Sequence, residues 1–305
     1  MRAIVTGGAG FIGSHVVDAL VARGDAVVVL DDLSHGRREN VDRRARLAVA
    51  DVRNLEAVRA AFDDLRPELC FHLAAQADVR VSVERPDHDC AVNVLGTVGV
   101  LEAARRHGTQ VVFASTGGAI YGECERPARE DAPRLPLSPY GASKLAGEEY
   151  VATYNRLYGA GHVSLRLANV YGPRQDPHGE AGVVAIFLGR LGRGEAPRIY
   201  GDGTQVRDYV YVGDVVRVAL AAAGRPAVFN VGTGRATSVL ELASACGRVT
   251  GVELDPVFDP PRLGEIARSV LDPGLAEREL GFRAETELEA GLAKTWEGLA
   301  RAGAN

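Results

Sequence analysis

Lysine is almost missing from this chain. Of its 35 basic residues only Lys144 and Lys294 are lysine; the others are arginine. Arginine is planar and forked, whereas the lysine ammonium is a compact point charge, so a rare lysine marks a place where arginine does not serve. Cysteine is scarce too: Cys70, Cys90, Cys124 and Cys246 form no CxxC pair, and Cys70 sits in an apolar run. That pattern argues against a disulfide frame or a zinc site and predicts reduced thiols in a cytoplasmic protein. No run approaches the roughly 18 apolar residues of a membrane span. The net charge of −5 leaves no basic face for nucleic acid. The N-terminus reads at once as a strand, not as a charged stub before an apolar core, so no secretion signal is expected. What is present is ordinary for a large enzyme: 305 residues, 46% hydrophobic and 25% charged.

The chain is organised around Met1–Asp32. Ala3-Ile4-Val5 reads as a buried strand, with glycines following at 7, 10 and 13. Ile12, Val16, Val17 and Leu20 share one face of a helix that Arg23-Gly24 closes. Ala26–Leu30 reads as a second strand and runs into Asp31-Asp32. A tight turn needs residues without a Cβ, and a pyrophosphate must approach bare backbone at a helix N-terminus. An acid at the end of the second strand accepts from the ribose hydroxyls of an adenosine. Strand, glycine turn, helix, strand and acid therefore spell a dinucleotide site. Asp31 repels a 2′-phosphate and favours NAD, although Arg37 and Arg38 lie close by in a polar loop.

Downstream, strands near 47–49, 69–75, 111–114 and 163–167 alternate with helices over 55–65, 86–107 and 138–157. That alternation predicts a Rossmann-type, doubly wound parallel sheet in an α/β fold, covering residues 1–168. Beyond Ala168 glycine and proline thicken, and a smaller C-terminal α/β lobe (169–305) is expected to close a cleft over the strand ends. A segment near 208–235 is expected to return to the first domain.

Tyr140 and Lys144 stand four residues apart, on one face of a helix. An ammonium beside a phenol favours phenolate and brings it toward the range where a general base works. Taken alone, the pair also fits two exposed side chains. Ser115-Thr116, followed by glycines at a strand end, either lines a cleft floor or caps a turn.

With these residues the chain resembles the extended short-chain dehydrogenase/reductases, specifically the nucleotide-sugar 4-epimerases of the UDP-glucose 4-epimerase type. The likeness runs through GGAGFIG (7–13), DDLS (31–34), DVR (51–53), HLAA (72–75) and NVLGT (93–97). It continues through STGGAIYG (115–122), YGASK (140–144), RLANVYGPRQDP (166–177) and GEAGVVAIF (179–187). It ends with IYGDGTQVRDYVYVGDV (199–215), NVGTG (230–234) and RLGEIARSVLD (262–272).

The resemblance implies NAD as cofactor and a UDP-hexose as substrate. It makes Tyr140 the base for the 4-hydroxyl, Lys144 the holder of the nicotinamide ribose, and Thr116 the partner of the 4-oxygen. It sets Gly7, Gly10, Phe11 and Ile12 along the pyrophosphate and Asp31 and Asp32 at the adenosine ribose. Asp51 and Val52 would flank the adenine, with Leu73, Ala74, Ala75, Asn93 and Ser115 on the cofactor side. Asn169, Arg207 and Arg262 would grip the substrate diphosphate and Glu265 its ribose, with Val183 also at the substrate. No metal is implied, and a homodimer through the helices around 91–104 and 142–157 is.

Gly117-Gly118 stand where related 4,6-dehydratases carry an Asp-Glu pair, which disfavours dehydration, and decarboxylation for the like reason. UDP-glucuronate stays open, with Arg174 and Arg190 as partners for its carboxylate, and so do UDP-N-acetylhexosamines. A non-catalytic NAD-binding protein is the reading from another class, disfavoured by the intact Thr116, Tyr140 and Lys144.

Overall fold

Short runs of β-branched and aliphatic residues build the sheet on which the molecule rests. The structure is a computed structural model that describes residues 1–177, 182–261 and 266–303. The first six strands are β1 (Arg2–Thr6), β2 (Ala26–Asp31), β3 (Arg46–Val49), β4 (Leu69–His72), β5 (Gln110–Thr116) and β6 (Val163–Leu167). After them come β7 (Asn169–Tyr171), β8 (Arg198–Tyr200), β9 (Val206–Arg207) and β10 (Tyr209–Tyr211). The chain then returns as β11 (Val228–Val231) to the edge of the main sheet, whose order is β11-β6-β5-β4-β1-β2-β3. Every pair in it is parallel. The order reverses between β1 and β4, and a ligand crevice opens at such a point.

The helices between these strands cover both faces. They are α1 (Phe11–Ala22), α2 (Leu55–Leu65), α3 (Val79–Glu84), α4 (Pro86–Cys90), α5 (Gly96–His107), α6 (Gly117–Ile120) and α7 (Pro139–Tyr158). Then follow α8 (Val183–Gly192), α9 (Val212–Ala221), α10 (Val239–Thr250), α11 (Gly274–Leu280) and α12 (Leu288–Gly303). Alternate residues of β1 face opposite cores, as the pleat requires. Ala3 and Val5 pack with Val16, Val17 and Leu20 of α1 and Val215 and Val218 of α9. Ile4 packs with Val58 and Phe62 of α2, Val100 and Leu101 of α5, and Val151 of α7. A third core, with Tyr171, Phe187, Leu242, Cys246 and Leu292, holds α8, α10 and α12 together. Small sheets formed with β12 (Thr237–Ser238), β13 (Val257–Asp259) and β14 (Arg268–Ser269) complete this part of the chain. Among the described residues no helix is long and apolar enough to cross a membrane.

The single helix expected over 86–107 is two helices joined by a π turn, Ala91–Leu95. The Thr97 hydroxyl donates to the Asn93 carbonyl at 2.6 Å across that widened turn. The glycines after Thr116 form the one-turn helix α6 rather than a loop. Helix α3 is an addition to the expected elements; Asp78 caps it by accepting from the amides of Arg80 and Val81.

Candidate active site

The glycine turn is shaped by contacts that leave no room for a side chain. Gly7 has φ +69°, and a Cβ on it would lie 2.6 Å from the amide nitrogen of Ala74. A Cβ on Gly13 would lie 2.1 Å from the Gly7 carbonyl oxygen, so α1 seats directly on the turn. Gly10 differs, because a Cβ there would meet only the Gly7 carbonyl, at 3.3 Å, with the cleft beyond. No side chain caps α1 at Gly10. Bare backbone at an uncapped helix N-terminus is the cradle a pyrophosphate needs, so the residues fit a dinucleotide.

Asp31 ends β2 as a buried acid lining the same cleft. Its Oδ2 accepts from the Ala9 amide and its Oδ1 from the Leu33 amide, each at 2.9 Å. Those bonds fix the carboxylate at the turn while each oxygen retains a lone pair. Asp32 faces the cleft rim but spends its Oδ1 on the amide and hydroxyl of Ser34. Asp51 is clasped by the Arg53 guanidinium, which holds its carboxyl below the usual range. Phe11, Ile12, Val52, Leu73, Ala74 and Ala75 also line the cleft, whose volume is about 1870 Å³.

Tyr140 and Lys144 enter from α7. Ser138 caps that helix by accepting from the Gly141 amide, and Pro139 fixes its first turn. Thr116 arrives from the end of β5, and its hydroxyl is hydrogen-bonded to the Tyr140 phenol. Lys144, only 3% exposed, donates to the Ala114 carbonyl at 2.8 Å and lies 4.9 Å from the Phe113 ring centre.

The electrostatics correct one expectation. Burial pushes the Tyr140 phenol up to about 12, with Asp89 adding to the rise and the Thr116 hydrogen bond opposing it. Lys144 is drawn down to about 8 by burial, against the pull of Asp89 and Glu148. Desolvation disfavours the charged form of each group and here outweighs the lowering of the phenol expected from the neighbouring ammonium.

Ser115 corrects another. Its hydroxyl turns from the cleft and donates to Glu148, leaving the cleft to the rest of the residue. Glu148 and Arg166 form a buried ion pair, each side chain 3% exposed. Arg166 donates to the Tyr121 hydroxyl at 2.7 Å, which donates to Asn230 at 2.8 Å. This brace lies behind the catalytic floor. A hint of it stands in the sequence, where Arg166 interrupts an apolar strand and Glu148 follows Lys144 by one helical turn. Asn93 is likewise buried behind the cleft, bonded to Gln76, Asp89 and Ser143.

On the opposite wall are Asn169, Val183 and Arg207. Arg174 lines this side too, at φ +67°, with its guanidinium 2.7 Å from Asp18. Arg190 does not line the cleft: it donates to the Ala196 carbonyl at 2.7 Å and pairs with Glu195. Arg262 and Glu265 lie outside the described residues. The two glycines after Thr116 differ in kind. A Cβ on Gly117 would strike Leu271 at 2.5 Å. A Cβ on Gly118 would point at Asn169 Oδ1 (3.4 Å), Thr116 Oγ1 (3.9 Å) and Ser269 Oγ (4.0 Å), all ordinary contacts among small polar groups.

Comparison with known proteins gives one answer. Residues 3–232 match the NAD dependent epimerase/dehydratase family. The chain is 48% identical over 313 residues to the UDP-glucose 4-epimerase of Mycolicibacterium smegmatis, covering 97% of this chain and 98% of that one. The crystal structure of UDP-glucose 4-epimerase from Thermotoga maritima with UDP-glucose superposes with a TM-score of 0.97 at 47% identity, covering 99% of both chains. That of the Thermus thermophilus UDP-glucose 4-epimerase with NAD gives 0.94 at 48% identity, over 99% of this chain and 100% of the other. The glycine cradle, the acid ending β2 and the Thr116–Tyr140–Lys144 floor thus belong together, and the chain is a member of the NAD-dependent epimerase/dehydratase family.

Proposed function

We propose that this protein is an enzyme that inverts the configuration at C4 of a UDP-hexose, interconverting UDP-glucose and UDP-galactose, with NAD as a resident cofactor. The observation that carries the reading is the Thr116–Tyr140 hydrogen bond at the floor of the cleft that the glycine turn opens. Bound NAD supplies a hydride acceptor that later serves as donor. Tyr140 is the proton acceptor for the 4-hydroxyl, ionising against the burial that raises its phenol, and the sugar passes through a 4-ketone. Thr116 holds the 4-oxygen and relays the proton. Lys144 orients the nicotinamide ribose. The ketone turns about its diphosphate linkage, which Asn169 and Arg207 tether, so that its other face meets the hydride donor, and Tyr140 returns the proton to the 4-oxygen. Arginine suits this task because its fork engages two phosphate oxygens. Arg262 and Glu265 complete the grip on the nucleotide in this reading, and Gly7, Gly10, Phe11, Ile12 and Asp31 hold the cofactor.

One observation favours a wider substrate range. Gly118, Asn169 and Ser269 leave the sugar end of the cleft without a bulky side chain, which supports UDP-N-acetylhexosamines as additional substrates. The uronate reading loses support, because Arg174 is engaged by Asp18 and Arg190 by Ala196 and Glu195. Residues 1–168 with 208–235 serve the cofactor, and the remainder serves the sugar nucleotide. Leu95, Tyr150, Leu157 and Tyr158 are exposed along the π turn and α7, which supports a homodimer through these helices in the cytoplasm; sedimentation at micromolar concentration tests the dimer.

The activity is tested by offering the purified protein UDP-glucose, UDP-galactose, UDP-GlcNAc and UDP-glucuronate without added cofactor and separating the products. Interconversion of the first pair is expected. Cofactor binding with no conversion of any of the four would leave a non-catalytic binder.

A further inference from the structure

Asp89 is the penultimate residue of α4, just before the π turn, and is 1% exposed. Its Oδ1 accepts from the side-chain amides of Gln76 and Asn93, both at 3.0 Å. Its Oδ2 is buried with no hydrogen-bond partner. Two neutral amides therefore fix a carboxylate that a buried setting would otherwise penalise. Helix α4 packs on α7, and the links continue through Asn93 to Ser143 (3.1 Å) and from Ser143 to the Tyr140 carbonyl (3.0 Å).

We propose that Asp89 is a positioning residue for the proton transfer at Tyr140: its amide-held carboxylate is a fixed negative charge set against Tyr140 and Lys144 together. The sign of its influence agrees, since Asp89 raises the proton affinity of both groups. The other ionisable groups facing this pair are Glu148, which acts on Lys144 from α7, and His72 on β4. His72 is held down to about 3 by burial and is neutral at working pH, bonded to Thr6 and Thr97. On α4 itself His88 faces outward toward Arg53. Asp89 thus delays proton loss from the ammonium and from the phenol alike, and so sets where on the pH scale the two work together.

The inference rests on Tyr140 being the base. That premise fails separately, if Tyr140→Phe retains full activity. Asp89 is tested by pH–rate profiles of the wild type and Asp89→Asn, which keeps an oxygen acceptor for Gln76 and Asn93 and removes the charge. Both limbs of the profile are expected to move to lower pH by about one unit. Ser143→Ala cuts the hydrogen-bonded link but keeps the charge, and its limbs are expected to stay in place. Should Asp89→Asn not fold, Asp89→Ser provides the same readout. Limbs of the folded Asp89 variant that coincide with those of the wild type would overturn the proposal, as would an equal shift in Ser143→Ala.

Discussion

Lys144 reaches from α7 to the Ala114 carbonyl on β5, 2.8 Å away, and so fastens the helix that carries Tyr140 to the strand that carries Thr116. The ammonium is buried to do this, and its pKa falls to about 8. The unfolded chain, with a lysine near 10.5, binds more protons than the folded one between those values. The Lys144 contribution to stability therefore rises with pH from about 8 to 10.5, by at most about 1.4 kcal/mol per unit. Lys144→Met is expected to lack that contribution, so its stability relative to the wild type falls from about pH 8 to 10, which paired urea unfolding of the two at about pH 8, 9 and 10 measures.

Tyr140→Phe removes the proton acceptor, and with it the hydrogen-bond partner of Thr116, while keeping the ring. Turnover is expected to fall by about 10²–10⁴, with NAD binding retained. Thr116→Val removes the bond to the phenol and is expected to cost about tenfold in kcat. Steady-state kinetics beside cofactor titration measures both.

Adjacent glycines separate packing from substrate choice. Gly117→Ala places a methyl against buried Leu271 and is expected to destabilise by about 1–3 kcal/mol. Gly118→Ala meets only ordinary contacts and is expected to fold as the wild type does. Its effect falls on the sugar, with UDP-GlcNAc turnover reduced more than that of UDP-glucose. Thermal melts and paired kcat/KM values distinguish the two.

The Glu148–Arg166 pair is buried on both sides, so removing one partner strands the other. Arg166→Met is expected to cost about 3–5 kcal/mol, read by urea denaturation, with the loss reaching the floor through Ser115.

Much of this was legible in the sequence because backbone geometry writes itself in residue type. Glycines 7, 10 and 13 stand where a Cβ would collide with backbone or fill the cradle, and helix α2 runs over the predicted Leu55–Leu65. Tyr140 and Lys144 do share a helix beside Thr116. What composition and spacing hid depends on contacts distant in the chain or on side-chain detail. Arg190 is bonded to Glu195 and Ala196, a few residues along its own chain, and spacing alone does not reveal those partners. The π turn is accompanied by the bond from the Thr97 hydroxyl to the Asn93 carbonyl, which periodicity does not register. The rise of the Tyr140 phenol comes from its surroundings, whereas spacing reveals only its neighbour.

The central claim is that the hydrogen leaving C4 is the one that returns. UDP-galactose carrying deuterium at C4 tests it: converted by the enzyme in ordinary water, the UDP-glucose formed is expected to keep the label at C4. Loss of the label to solvent would contradict the account.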